Sequence, residues 1–114
     1  MSVVIWHNPR CSKSRATLAI VEKHAPEHVV RFYLKDVPTS DEIKRVLTLM
    51  GITAHELMRT GEKVYRDLDL SPDHDDAALI AAMEAHPILI ERPIVISNGK
   101  AAIGRPPEAV LSIL

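Results

Sequence analysis

The 114-residue chain contains one cysteine, Cys11, and its surroundings are those of a reactive thiol. It stands between a short apolar run and a predicted helix, with Arg10, Lys13 and Arg15 within four residues. Free N–H groups at a helix N-terminus and nearby cations stabilise a thiolate and lower its pKa. An inert, buried cysteine would have apolar neighbours instead. The pattern therefore predicts that Cys11 is a catalytic nucleophile.

The spacing around this cysteine disfavours two other thiol chemistries. A dithiol redox motif needs a second cysteine at position 14, where the chain has Ser14. The Ser14 hydroxyl can donate a hydrogen bond to a thiolate but cannot form a disulfide. A phosphatase loop needs an arginine six residues after its cysteine, and that position is Thr17.

Three arginines distant in sequence are candidate anion ligands. Arg59, Arg92 and Arg105 each lie at the end of a predicted element or beside a proline turn. Guanidinium groups bind tetrahedral oxyanions with two parallel hydrogen bonds and stay charged at any relevant pH. Because a thiolate and an oxyanion repel each other, cations must offset their charge. Each arginine taken alone is equally consistent with a solvated surface charge.

Composition limits the functional classes that remain. The chain is 46% hydrophobic and 25% charged, with a formal net charge of −1, which is typical of one globular domain over residues 1–114. The chain lacks the excess of Lys and Arg that would favour nucleic-acid binding. No apolar run approaches the ~18 residues of a membrane span. A single cysteine forms no internal disulfide, which predicts the reducing cytoplasm. The six histidines are scattered, so we expect neither a structural metal site nor a bound cofactor.

The predicted elements place these residues at loop and helix boundaries. A strand over Val3–Trp6, a helix from Ser14 to about His24 and a strand over Val29–Tyr33 form a parallel βαβ unit. The middle of the chain is predicted to be helical. Its elements are a helix capped by Thr39 and Glu42 and ended by Gly51, a short helix over Thr53–Arg59, and a helix from Asp75 to about Ala85.

The C-terminal part returns to β structure. Residues 94–96 and 101–103 flank Asn98-Gly99, which predicts a hairpin with a type I′ turn, and Pro106-Pro107 opens a last helix. The order indicates an α/β fold, a thioredoxin-like βαβ…ββα mixed sheet with a helical insertion. Pro93, directly before the hairpin, is the position at which such folds keep a cis-proline.

Three separated motifs, taken in order, resemble the glutaredoxin-coupled arsenate reductase (ArsC) family over nearly the whole chain. The motifs are HNPRCSKSR at 7–15, HPILIERP at 86–93 and GRPPE at 104–108. Two features are more similar to a shorter branch of the family, the YfgD-like proteins, than to its arsenic-resistance enzymes. These features are the Cys-Ser-Lys-Ser-Arg loop and the end of the chain right after its last helix.

This resemblance implies a mechanism and a role for each candidate residue. Cys11 would form a thiol–arsenate adduct, glutathione would attack as co-substrate, and glutaredoxin would resolve the mixed disulfide. Arg59, Arg92 and Arg105 match the oxyanion-binding arginines of the family. His7 and Ser14 match positions that support the thiolate.

Two other functions stay open at this stage. One is a glutathione-dependent thiol oxidoreductase acting on another substrate. The other is a redox-linked regulator that binds RNA polymerase, since proteins of similar fold do so. Such regulators usually carry Cys-X-X-Cys, which this chain lacks, so an enzyme reducing arsenate or a related oxyanion is favoured.

Overall fold

The computed structural model describes residues 3–114, which form four strands and four α-helices joined by three short 3₁₀ segments. The 3₁₀ segments cover His55–Leu57, Pro87–Leu89 and Pro107–Ser112. The strands and helices in chain order are β1 (Val3–Trp6), α1 (Ser12–His24), β2 (His28–Arg31), α2 (Ser40–Met50), α3 (Lys63–Asp67), α4 (Asp76–Ala85), β3 (Ile94–Ser97) and β4 (Lys100–Ile103).

The strands make one mixed sheet in the order β2-β1-β3-β4. Strands β1 and β2 are parallel, with Val3 opposite His28, and α1 forms the crossover between them. Strand β3 runs antiparallel to both β1 and β4, and its register places Ile5 opposite Val95. This sheet with its helices is the α/β thioredoxin-like class, so the predicted fold class is confirmed.

The described chain divides into two compact units. The first consists of residues 3–36 with residues 92–114 and contains the whole sheet and α1. Its core is a buried aliphatic cluster on one face of the sheet, because alternate strand residues point to the same side. The cluster consists of Val3, Ile5, Val21, Val95 and Val110.

The second unit, residues 37–91, holds the inserted helices. Helix α2 begins at the predicted capping box, in which Thr39 and Glu42 each accept a hydrogen bond from the other's backbone N–H. It ends at Gly51, whose φ of 66° is the left-handed conformation that glycine adopts at little cost. Helix α4 is capped by Asp75, whose carboxylate accepts the Ala78 N–H.

Several predicted boundaries differ from those observed. Helix α1 begins at Ser12, because the Arg15 N–H already bonds to the Cys11 carbonyl. Strand β2 ends at Arg31, before the predicted Tyr33, since the Phe32 carbonyl accepts N–H groups from residues 35 and 36 and the chain turns there.

Two predicted helices are 3₁₀ segments in the structure. The predicted helix over Thr53–Arg59 contracts to one 3₁₀ turn, because the Arg59 N–H bonds across to the Leu89 carbonyl. The last helix is also 3₁₀, with bonds such as that from the Ala109 N–H to the Pro106 carbonyl spanning three residues.

The turns and loops of the C-terminal part carry special backbone conformations. Asn98 and Gly99 have φ of 54° and 73°, as a type I′ turn requires. Within residues 3–114 two peptide bonds are cis, Arg92–Pro93 and Arg105–Pro106. The first was predicted from the sequence, and the second was not. None of the helices in this range has the length and apolar content to cross a bilayer.

Candidate active site

Cys11 occupies the N-cap of α1, at the end of the loop that follows β1. Its φ and ψ of −98° and 122° are extended, so the chain turns into the helix immediately after it. The loop is closed behind the cysteine by a hydrogen bond from the Cys11 N–H to the Asn8 carbonyl, at 3.0 Å. The residue is partly exposed and its thiol is free. A thiol at this position meets the first N–H groups of the helix, which have no partner within the helix.

The balance of its surroundings lowers the pKa of the Cys11 thiol. Burial is the largest single influence and acts in the opposite direction, because it penalises the charged form. Hydrogen bonds from the Ser14 backbone, the Arg92 guanidinium and the Lys13 backbone, together with the Arg92 charge, outweigh it. The result is a thiol with more thiolate at neutral pH than a free cysteine has.

Two of the three predicted arginines lie at this sulfur. The Arg105 Nη2 is 3.7 Å from the Cys11 Sγ, and Arg92 hydrogen-bonds to the same thiol. The Arg105 Nε also donates to the Arg92 carbonyl at 2.9 Å, which ties the two loops together. Both arginines are partly buried, where a positive charge acts more strongly than it does in bulk water.

His7 and Ser14 form a buried pair beside the cysteine loop. The His7 Nδ1 lies 2.7 Å from the Ser14 Oγ, which also accepts the Asn8 N–H at 3.0 Å. It is thus the Ser14 backbone N–H that bonds to Cys11, while the hydroxyl, for which we predicted that role, pairs with His7 and Asn8. Burial, and then the charge of Arg15, lowers the pKa of His7, so the imidazole is neutral at pH 7.

Arg59 belongs to the 37–91 unit and is held there by two carboxylates. Its Nη1 lies 2.8 Å from the Glu91 Oε1, and its Nε lies 3.1 Å from the Glu62 Oε2. Burial alone would lower the pKa of Arg59, but the two carboxylates raise it. Its predicted role as an oxyanion ligand stays a prediction.

Some residues that hold the Cys11 loop in shape, but do not take part in the reaction, were not predicted from the sequence. Asn8 accepts the Arg10 N–H on its Oδ1 at 3.0 Å, and Arg15, which we counted among the cations near the thiol, donates to the Pro9 carbonyl at 2.8 Å. An asparagine before proline in a loop is the only local signal for the first. Within the described range, no three His, Cys, Asp or Glu side chains are grouped to hold a metal ion.

Fold and site together define a class of protein. A thioredoxin-like sheet presents one activated cysteine at a helix N-terminus, and two arginines supply positive charge at its sulfur. The ArsC family profile matches residues 6–113, and the chain belongs to the ArsC family. The resemblance seen in the sequence motifs is thereby confirmed.

Several similar proteins match this chain over all or nearly all of their own length. The arsenate reductase of Haemophilus influenzae is 45% identical, with 100% of each chain covered. The Escherichia coli protein YfgD is 46% identical over 98% of this chain and 96% of its own. The solved structure of an arsenate reductase from Vibrio cholerae is 50% identical and superposes with a TM-score of 0.94, covering 100% of this chain and 98% of that one.

Proposed function

We propose that this protein is an arsenate reductase in which Cys11 is the nucleophile and glutathione supplies the second thiol. The observation that carries the proposal is the Cys11 sulfur at a helix N-terminus with Arg92 and Arg105 against it. These groups favour the thiolate, and guanidinium groups are suited to binding a tetrahedral oxyanion. The names of the similar proteins of Haemophilus influenzae and Vibrio cholerae support arsenate as that oxyanion.

In the first step the Cys11 thiolate attacks the arsenic of arsenate. A sulfur–arsenic bond forms and an arsenic–oxygen bond breaks, with the oxygen leaving as water after protonation. Arg92 and Arg105 offset the repulsion between the thiolate and the anion, and they stabilise charge that builds up on the oxygens. Arsenic remains in the +5 state in the adduct.

In the second step glutathione completes the reduction. Its sulfur bonds to the Cys11 sulfur, and the electron pair of the sulfur–arsenic bond passes to arsenic, which leaves as arsenite in the +3 state. Cys11 is left in a mixed disulfide with glutathione. A glutaredoxin thiol then attacks the glutathione sulfur and releases the Cys11 thiolate. We place this cycle in the cytoplasm, where glutathione is abundant and reduced.

The test is a coupled assay with arsenate, glutathione, glutaredoxin, glutathione reductase and NADPH. We expect NADPH consumption that depends on arsenate and on the enzyme, and none with the Cys11→Ser variant. Turnover with thioredoxin in place of glutathione and glutaredoxin would keep the arsenate reductase activity but reject the proposed reductant. No turnover with any thiol, together with co-purification of RNA polymerase, would favour the regulatory alternative.

A further inference from the structure

Gly104 packs closely against α1, in the loop that carries Arg105. It is buried, and its N–H donates to the Pro93 carbonyl at 2.9 Å. A Cβ placed on it would lie 2.8 Å from the Pro93 Cγ and 2.9 Å from the Thr17 Cγ2, and would overlap the Thr17 Oγ1 more severely still. Real Cβ atoms essentially never show contacts under 3.0 Å. Glycine is therefore required here for space and not for a left-handed φ.

Thr17 is the other half of this contact. It is fully buried on α1, six residues after Cys11, and its hydroxyl donates to the Lys13 carbonyl at 2.8 Å. The same oxygen lies 3.5 Å from the Gly104 carbonyl. The side chain is thus held by its own helix and rests directly on the Gly104 backbone.

The contact fixes the geometry of the thiol because the charged groups adjoin it in sequence. Arg105 directly follows Gly104, and its Nη2 reaches Cys11 at 3.7 Å, close to the longest distance at which a sulfur still accepts a hydrogen bond. Cys11 is the N-cap of the helix that carries Thr17. Any added separation between Thr17 and Gly104 therefore adds to the distance between the guanidinium and the sulfur.

We propose that Gly104 and Thr17 are positioning residues, whose close packing sets the distance between the Arg105 guanidinium and the Cys11 sulfur and so keeps the thiol activated. The proposal concerns the thiolate at Cys11 and does not depend on arsenate being the substrate. It follows that enlarging residue 104 weakens the activation of the thiol without touching a charged group, and that shrinking residue 17 restores it.

The experiment measures the pH dependence of Cys11 alkylation by a neutral reagent in folded protein, with near-ultraviolet circular dichroism as the check on folding. Gly104→Ala should raise the apparent pKa of the thiol, which the titration detects as a smaller fraction of thiolate at a pH below both values. The matched control is Gly61→Ala, because Gly61 is exposed, its φ is not positive and its added Cβ meets nothing within 4 Å. This control should leave the profile unchanged.

The double variant Gly104→Ala, Thr17→Ala is the decisive test of whether contact with Thr17 causes the change. It removes both Thr17 atoms that the added Cβ would strike and leaves only the 2.8 Å contact with the Pro93 Cγ, so the thiol pKa should return part of the way to the wild-type value. Thr17→Ala alone should shift the profile less than Gly104→Ala does, because it loosens the contact without forcing the two segments apart. A folded Gly104→Ala protein with an unchanged profile, or a shift that the second substitution does not reverse, overturns the proposal.

If Gly104→Ala does not fold, the double variant decides alone. A folded double variant with an activated thiol supports the proposal, since removing the clash with Thr17 is then sufficient for both folding and activation. A double variant that fails to fold, or that reacts like a free thiol, contradicts it. Because no arsenate is present in these measurements, their outcome is separate from that of the arsenate reductase assay.

Discussion

At the scale of single residues, the thiolate form of Cys11 is stabilised by several interactions, each of which is weak on its own. Two backbone N–H groups of α1 and the Arg92 guanidinium stabilise its charged form against the cost of burial. Arg105 adds a long contact at 3.7 Å. Because these groups come from two segments of the chain about 80 residues apart, the thiol pKa reports on the folded state as well as on the local sequence.

The first prediction concerns this pKa. We expect alkylation of the native protein by a neutral reagent to titrate at a lower pH than a free thiol does, because the Ser14 and Lys13 backbone N–H groups and the Arg92 guanidinium lower the pKa of Cys11. The chain has no other cysteine, so the signal belongs to Cys11 alone. The same protein in denaturant is the control and should titrate near the free-thiol value of about 8.5. Coincidence of the two curves would exclude an activated thiol.

The second prediction concerns Arg105. Arg105→Ala should lower kcat/KM for arsenate by about 10- to 150-fold, the equivalent of the ~1.5–3 kcal/mol that hydrogen bonds to charged groups contribute. Arg105→Lys should recover part of the loss, because it keeps the charge but not the planar fork. The control is Arg45→Ala, an exposed arginine on α2. Equal effects of Arg45→Ala and Arg105→Ala would mean that the Arg105 guanidinium has no specific role.

At the scale of secondary structure elements, Arg59 illustrates how a short irregular segment is fixed. The 3₁₀ turn before it ends where Met58 pairs with Ile90, and the Glu91 N–H donates to the Leu57 carbonyl at 2.8 Å. This antiparallel pairing brings Arg59 and Glu91 to neighbouring positions. Both side chains are 23% exposed, so their ion pair is better shielded from solvent than a surface pair.

The third prediction follows from that shielding. Glu91→Gln should lower the free energy of unfolding by about 1–2 kcal/mol, between the values for exposed and for buried pairs. The matched control is Asp67→Asn in the pair with Lys63, whose side chains are 55% and 83% exposed and which should contribute less than about 0.5 kcal/mol. Denaturant titrations of both variants give the comparison. If the two substitutions cost the same, solvent shielding does not strengthen the Arg59–Glu91 pair.

The elements that local sequence specifies were predicted well. The capping box at Thr39, the left-handed Gly51 and the Asn98-Gly99 turn each depend on a few adjacent residues, and each is present in the structure. Helix α3 was missed because five residues give too little periodicity to detect. The 3₁₀ geometry of the last helix was missed as well, because the apolar pattern does not encode whether a backbone N–H bonds to the carbonyl three or four residues before it.

The site was only partly predictable for a related reason. Cys11 and the N-terminus of α1 are adjacent in sequence, so local spacing identifies them, whereas Arg92 and Arg105 reach the sulfur only through the fold. The contact of Thr17 with Gly104 joins residues 87 positions apart and involves no charged group. Nothing in the sequence marks Gly104 as a spacing requirement, because a glycine before an arginine and two prolines is equally typical of an ordinary turn. Only the packed structure shows that a single added methyl group would collide there.

At the scale of the whole molecule, the number of thiols determines what the protein needs from outside. Reduction of arsenate to arsenite takes two electrons, which a pair of thiols supplies by forming a disulfide. This chain has one cysteine, and the position three residues later is a serine whose hydroxyl bonds to His7. A protein that resolved itself would need a second cysteine with its Cα within about 7 Å of the first. In the proposed reaction the second sulfur therefore comes from another molecule.

The last prediction is that this second sulfur belongs to glutathione. It is small enough to reach a partly buried cysteine flanked by Arg92 and Arg105, and its carboxylates complement their charge. After a single turnover with arsenate and glutathione, without glutaredoxin, intact-protein mass spectrometry should show one glutathione on Cys11. Omitting arsenate is the control and should leave the protein unmodified on the same timescale. Adding glutaredoxin should remove the adduct and restore the free thiol, because a mixed disulfide is open to thiol exchange. Sustained turnover with thioredoxin alone and no small thiol would show that the donor is a protein, and the Cys11–glutathione disulfide would then lie outside the catalytic cycle.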